Sequence, residues 1–368
     1  MVRVLHIMGC SDAGGISSVV LNYYRFIDRS KIQFDIALTI PDVGQNGHAL
    51  QELGANIYFL PLKSQGIPAF RAALVQLLQK NHYDAVHVHE NETSYVALQV
   101  AKQAGIKCRL AHSHTSSPYE GWKSELRRLS GCVLNYHFAT HAVGCGQLAG
   151  ERVFGKWNMR RRKALVLPNA VDTARFAYNE AIREEVRREL GVEDCFVLGM
   201  VGRLSEEKNN GYALDLMPKL LQEIPNAVLV VVGNGPDEET FRSKVQEMNL
   251  EHCVKQLGRR SDVDRLYQAF DVYLLPSFTE GFPVAAVEAM ASGLPVLMSD
   301  VITRELEFSS GVTYLPLNAP DRWVQTIKQW QTDADRSVRQ HDPKENGLDI
   351  RDTTGILEWI YQTDSAET

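Results

Sequence analysis

The segment Leu275-Pro276-Ser277-Phe278-Thr279-Glu280-Gly281-Phe282-Pro283-Val284-Ala285-Ala286-Val287-Glu288-Ala289-Met290-Ala291-Ser292-Gly293 reads as a strand end, a loop and a helix. Pro283 suits the first helical position, where a missing N–H costs nothing, and Gly293 suits the C-terminal cap. Glu280 then sits in the loop and Glu288 on the second helical turn. The residues between them are apolar or glycine. A carboxylate in such a run should face a ligand or a buried donor, because an unpaired buried charge is costly. Structural pairing is the alternative, but two carboxylates bracketing a helix start favour function.

Working outward, strands are expected at 272–275 and 295–298 on either side of this helix, which makes a βαβ unit. The same alternation fills the chain. Short Val/Ile/Leu-rich runs at 3–7, 34–39, 56–60, 85–89, 109–112, 139–143 and 165–167 alternate with helical patterns such as 16–28, 69–79 and 93–104, the last closed by Gly105. Pro168-Asn169-Ala170-Val171-Asp172 breaks the rhythm, which restarts with strands at 197–201 and 227–232. The fold class is therefore α/β, with two doubly wound parallel-sheet domains at 1–170 and 171–350 and a linker between Pro168 and Asn179. A terminal helix, 351–368, centred on an amphipathic 354–361, is expected to pack back on the N-terminal domain. Ligands of open α/β sheets bind beyond the carboxyl ends of the strands, so function is sought in those loops.

Composition limits what those loops can do. The 368 residues carry a net charge of −6, which excludes a generally basic nucleic-acid coat. At 44% hydrophobic and 23% charged, the chain matches an ordinary globular protein of two domains. No apolar run approaches the ~20 residues of a membrane-spanning helix, and Met1-Val2-Arg3-Val4-Leu5-His6-Ile7-Met8 reads as a first strand rather than a signal peptide. A cytoplasmic protein is expected. The six cysteines lie far apart with no CxxC pair, so most are expected to be buried core residues.

Four further stretches carry chemistry. Asp12-Ala13-Gly14-Gly15-Ile16 follows the first strand and opens a helix, which suits either a phosphate cradle or a tight turn. Val201-Gly202-Arg203-Leu204-Ser205-Glu206-Glu207-Lys208-Asn209 places a guanidinium and an ammonium at a strand end. That pair could hold a diphosphate, or could be solvated against Glu206 and Glu207. His87/His89 and His112/His114 each share a strand face at period two, but neither pair has a visible third ligand, so no metal is expected. His114, past its strand end, is the better catalytic candidate. Asp262-Val263-Asp264 and Asp333-Ala334-Asp335 are rejected as metal-binding D-x-D motifs, Ser261 and Asp264 being read as a helix N-cap. Arg127-Arg128 and Arg160-Arg161-Arg162-Lys163 read as solvated faces, with contact to anionic lipid as the alternative.

Taken together these residues resemble the retaining glycosyltransferases of family four, whose GT-B fold has two facing Rossmann-like domains with a cleft between them. The resemblance runs over nearly the whole chain. It rests on Glu280 and Glu288 with seven residues between them, on Gly202-Arg203 with Lys208-Asn209, and on Pro168-Asn169 with Val171-Asp172. The extension from Ala291 to Thr303 is similar to the branch that assembles exopolysaccharides and capsules. The resemblance implies that Arg203 and Lys208 bind the donor diphosphate, Glu288 the nucleotide ribose, and Glu280 with the stretch after it, Gly281, Phe282, Pro283 and Val284, the transferred sugar. Gly258-Arg259-Arg260 would meet the base, and Gly14-Gly15 would close over the phosphates. The family's catalytic histidine aligns best with His114, with His112 one step away. The implied reaction is metal-independent transfer with retention from a UDP-sugar to a carbohydrate or polyprenyl-linked saccharide, without a cofactor, at the inner face of the membrane. A UDP-sugar epimerase of the same fold and a non-catalytic nucleotide-sugar sensor are the other readings. A phosphorylase would be longer and depend on pyridoxal phosphate.

Overall fold

The computed structural model describes residues 1–10, 15–114, 122–161, 164–332 and 336–366. The chain forms two compact units, one of Met1–Ala170 with Ile350–Thr368 and the other of Val171–Asp349.

The first unit contains β1 (Val2–Met8), β2 (Ile32–Leu38), β3 (Asn56–Phe59), β4 (Ala85–Val88), β5 (Cys108–Ser113), β6 (His141–Gly144) and β7 (Leu165–Val166). They form one parallel sheet in the order β3-β2-β1-β4-β5-β6-β7. Both faces are covered. Tyr23, Tyr24, Phe34, Leu357, Ile360 and Tyr361 pack on one, while Leu5, Ile7, Phe70, Leu74 and Phe154 pack on the other. Burial of such side chains contributes about 1.5–3 kcal/mol each, which is why the strands read as continuous apolar runs. The terminal helix, Ile350–Ala366, is longer than the amphipathic core expected from sequence and buries Leu357, Ile360 and Tyr361 against this sheet.

The second unit contains β8 (Phe196–Val201), β9 (Ala227–Val232), β10 (Val254–Gly258), β11 (Val272–Leu275), β12 (Val296–Ser299) and β13 (Val312–Leu315), in the order β10-β9-β8-β11-β12-β13. Sequence reading misses β10 and β13. Both are edge strands whose residues are mostly half-buried, so neither needs the unbroken apolar run of a central strand. The ends of this unit clasp each other: Val171 donates to the Leu348 carbonyl at 3.0 Å, and the Thr173 hydroxyl donates to Asp349.

In each sheet the strand order reverses once, at β1/β4 and at β8/β11. Chains leaving two adjacent strands there diverge to opposite faces and open a crevice at the carboxyl edge. Three of the six cysteines are buried, Cys108, Cys145 and Cys253, which is fewer than expected. Among the described residues no helix is long and apolar enough to cross a membrane.

Candidate functional site

In the six-stranded unit the loops after β8 and β11 meet at the switch point. Phe278 N–H donates to the Glu207 carbonyl at 2.8 Å, and Asn209, in left-handed conformation at φ 51°, donates from Nδ2 to the Pro276 carbonyl. This pinning brings Lys208 Nζ to 2.6 Å from Glu280 Oε1, which also accepts from Ser277 Oγ at 2.8 Å. The solvated reading of Lys208 does not hold. It is not paired with Glu206 or Glu207, and it is not an isolated cation, because a nearly buried Glu280 carboxylate needs a neutralising partner. Arg203 is exposed and has no side-chain partner among the described residues. The N–H groups of Gly281 and Phe282, just ahead of the helix Val284–Ala291, donate to nothing among the described residues. A helix start with open amides beside a lysine is an anion cradle.

Pro283 is the N-cap rather than the first helical residue, since its ψ of 74° lies outside the helical range. Gly293 follows the helix at φ 71°, as a C-terminal glycine should. Glu288, on the same helix, has Oε2 3.0 Å from the Tyr267 hydroxyl. Burial raises its carboxyl to about 7, against the opposing pull of the Tyr267 hydrogen bond and the Arg175 charge.

Two glycines missed in the sequence shape this edge. A Cβ on Gly233 would lie 1.9 Å from the Gly202 carbonyl oxygen, and one on Gly235 2.1 Å from that of Leu204. The Gly233-Asn234-Gly235 turn after β9 therefore nests against the Arg203 loop, with Leu204 N–H on the Asn234 carbonyl at 3.0 Å. The signal was present as a G-x-G directly after an apolar run.

Gly258 ends β10 at φ 64°, where the ladder shifts register. Arg259 is exposed, whereas Arg260 forks onto Asp262 at 2.8 and 2.7 Å and reaches Glu189. The Arg260 side chain is thus a structural clamp, which leaves the backbone of this loop for ligand contact. The expected cap at Ser261 is not formed. The helix Val263–Ala269 starts after Asp262, whose side chain makes no capping bond, because Asp262 is held by Arg260 and Asp264 by Arg175 at 2.7 Å.

In the seven-stranded unit, Gly15 opens the helix Gly15–Phe26 at φ 53°. Asn46 Nδ2 lies 3.0 Å from both Ser17 Oγ and Ser18 Oγ at that helix start. Gly14 lies outside the described residues, as do Thr115, Arg162, Lys163 and the 333–335 motif.

The histidines differ most from expectation. The two His-x-His pairs do not stand apart, and His6 from β1 joins them. Period-two alternation on three neighbouring strands puts all five rings on one face. They form two files: His6 Nδ1 lies 3.0 Å from His89 Nε2, and His89 Nδ1 lies 2.9 Å from His114 Nε2. Beside this, Tyr361 Oη is 2.6 Å from His87 Nδ1, and His87 Nε2 is 3.1 Å from His112 Nδ1. Burial pushes His6 and His114 down to about 3 and the other three well below the ordinary imidazole value, so the files are neutral. His112 lies inside β5, whereas His114 lies just beyond it with its N–H on Asn91 Oδ1 at 3.0 Å.

Comparisons with known proteins identify the family and the fold. Residues 13–175 match the model described as Glycosyltransferase Family 4, and residues 182–348 the model described as Glycosyl transferases group 1. The putative glycosyltransferase EpsF of Bacillus subtilis is 33% identical over 98% of this chain and 96% of its own. An Escherichia coli UDP-Gal:alpha-D-GlcNAc-diphosphoundecaprenol alpha-1,3-galactosyltransferase is 29% identical over 82% of this chain and 80% of its own. Among solved structures, Anabaena HepE in complex with UDP superposes with a TM-score of 0.77 at 20% identity, covering 100% of this chain and 98% of that one. Its likeness is one of fold, which is GT-B.

Proposed function

Because the chain belongs to the family 4, group 1 glycosyltransferases, we propose that it moves a sugar, with retention and without a metal at the diphosphate, from a UDP-sugar to a lipid-linked or oligosaccharide acceptor in surface-polysaccharide synthesis. The observation that carries this reading is the β8/β11 edge, where Lys208 sits on Glu280 just ahead of the open amides of Gly281 and Phe282, with Arg203 exposed in the same loop as Lys208. The UDP donor is supported by the UDP-dependent relative of 29% identity.

The unit with six strands takes the donor and the unit with seven the acceptor. Glu288, protonated to a large extent near pH 7, turns toward the ribose hydroxyls, and the backbone at Gly258, Arg259 and Arg260 meets the base. Diphosphate displaces Glu280 from Lys208, and the freed carboxylate accepts from sugar hydroxyls. As the bond from sugar C1 to diphosphate oxygen breaks, negative charge builds on the leaving group, and Arg203, Lys208 and the helix-start amides stabilise it. Preorganised donors of this kind supply the largest catalytic contribution. The acceptor hydroxyl bonds to C1 from the face that the diphosphate leaves, and its proton passes to the diphosphate. By the family resemblance Gly15 serves the phosphates and His114 the sugar.

The helix Trp122–Phe138 supports a lipid-borne acceptor at a membrane face. Leu126, Leu129 and Val133 are 60%, 50% and 68% exposed and, at spacings of three and four, share one side of the helix. The test is release of free UDP from a panel of UDP-sugars with undecaprenyl-diphosphate-linked saccharides. Acceptor-dependent release is the expected result. Interconversion of the UDP-sugar without release would replace transfer by epimerisation, and donor binding without either would make the protein a sensor.

A further inference from the structure

The five-ring cluster contains more than its hydrogen bonds need. His6 Nε2, His112 Nε2 and His114 Nδ1 are buried and have no partner among the described residues. Ligating nitrogens of His89, His112 and His114 all lie within 4.8 Å of one another. A neutral imidazole offers one lone pair and carries one N–H.

We propose that His89, His112 and His114 form a binding site for a borderline transition-metal ion of the Zn²⁺ or Co²⁺ kind. His112 would ligate through its unpartnered Nε2 while Nδ1 stays on His87 Nε2, whose ring is in turn fixed by Tyr361. His89 would ligate through Nδ1 while Nε2 stays on His6 Nδ1 at 3.0 Å. Metal-bound histidines characteristically have the second nitrogen held in this way, and the two files supply that for both rings. His114 completes the set. Tetrahedral zinc with bonds of ~2.0–2.1 Å separates its nitrogens by roughly 3.4 Å. His89 Nδ1 and His114 Nε2, now at 2.9 Å, need to part only slightly, and a His112 nitrogen lies within 4.8 Å of its counterparts on both rings. Three nitrogens without a carboxylate select zinc, cobalt, nickel or copper over magnesium or calcium. Three protein ligands leave the fourth position open.

Occupancy would take the His114 ring away from the sugar, so such an ion would inhibit transfer rather than support it. That consequence rests on the role proposed for His114, whereas binding does not.

The test is titration of the untagged, EDTA-stripped chain with Co²⁺, read by visible absorption and by calorimetry, followed by Zn²⁺ displacement. Saturation at one equivalent with the strong bands of four-coordinate cobalt is expected. His112→Ala should weaken binding at least tenfold. His6→Gln, which touches no ion, should weaken it by about 10–100-fold. His252→Ala, on the exposed surface, and Cys10→Ser should leave it unchanged. Absence of saturable binding to the wild-type chain overturns the proposal, whatever becomes of the variants, and so does undiminished binding to a folded His112→Ala chain. Binding without loss of turnover would instead overturn the role of His114 and leave the ion site standing.

Discussion

The carboxyl edges of the two sheets solve one problem in opposite ways. At β1/β4/β5 the polar groups are neutral imidazoles stacked on one another, with His112 and His114 ring centroids 4.0 Å apart. At β8/β11 they are full charges, Lys208 against Glu280, with Arg203 exposed in the same loop as Lys208. Where Tyr361 and Phe34 seal the histidine face, charge is too costly and the rings lose their protons. Where a loop edge opens, an ion pair survives and can be exchanged for a charged ligand. On the proposed reading, one edge orients the sugar and the other stabilises charge.

That contrast breaks most visibly at the charged edge. Arg203→Ala and Lys208→Ala are each expected to lower turnover by ~10²–10³, with a smaller effect on donor binding, because the leaving group gains charge along the reaction. Lys208→Arg should rescue poorly, since a planar fork does not replace a compact ammonium against Glu280. Lys208→Ala also removes the ammonium from a buried carboxylate, so Lys208→Ala with Glu280→Gln should recover melting temperature without recovering turnover. Near-normal kcat in the folded single variants would remove diphosphate binding from this loop.

At the neutral edge, His114→Ala should lower kcat by about 10²-fold, as loss of one oriented donor does, and His112→Ala by about tenfold less. The reverse order in steady-state kinetics would move the active role to His112.

Glu288 stands between the two edges in character, a carboxyl raised to about 7 by burial. Its folded value lies above the unfolded one near 4.5, so the folded state binds the proton more tightly. The stabilisation is complete below pH 4.5 and is lost as pH rises through 7. Glu288→Gln should therefore flatten the fall in melting temperature between pH 5 and 8 and gain about 1–2 kcal/mol at pH 8, while weakening UDP. An unchanged pH profile would show that the carboxyl is not buried in solution.

The smallest effect is expected from chelation. Excess EDTA should leave turnover within about twofold, because cationic side chains take the place of a divalent ion at the diphosphate. Complete loss restored by Mn²⁺ would sink that assignment.

Central strands were legible because burial on both faces demands continuous apolar runs, as at Ala227–Val232. The edge strands β10 and β13 were not, since one solvated side removes that demand. Glu280 and Glu288 could be found because a carboxylate in an apolar loop-to-helix stretch violates local expectation. Lys208 could be found too, but its partner could not, because 72 residues separate it from Glu280. His6 carried no signal as a single polar residue in a first strand. The Asp12–Gly14 stretch, which suits either a phosphate cradle or a tight turn, lies outside the described residues.

By itself, then, the amino-acid order determined the βα alternation, the switch of rhythm after Pro168 and the residues able to carry charge, all of which follow from local periodicity and turn chemistry. Only the tertiary structure decided which groups meet. Parallel-strand register placed His6, His87, His89, His112 and His114 on one face, and the pinning of two loops set Lys208 on Glu280. Return of the last helix to the first sheet put Tyr361 on His87. Each of these is a contact across tens to hundreds of residues, where the cost of burying a polar group, rather than any local propensity, selects the partner.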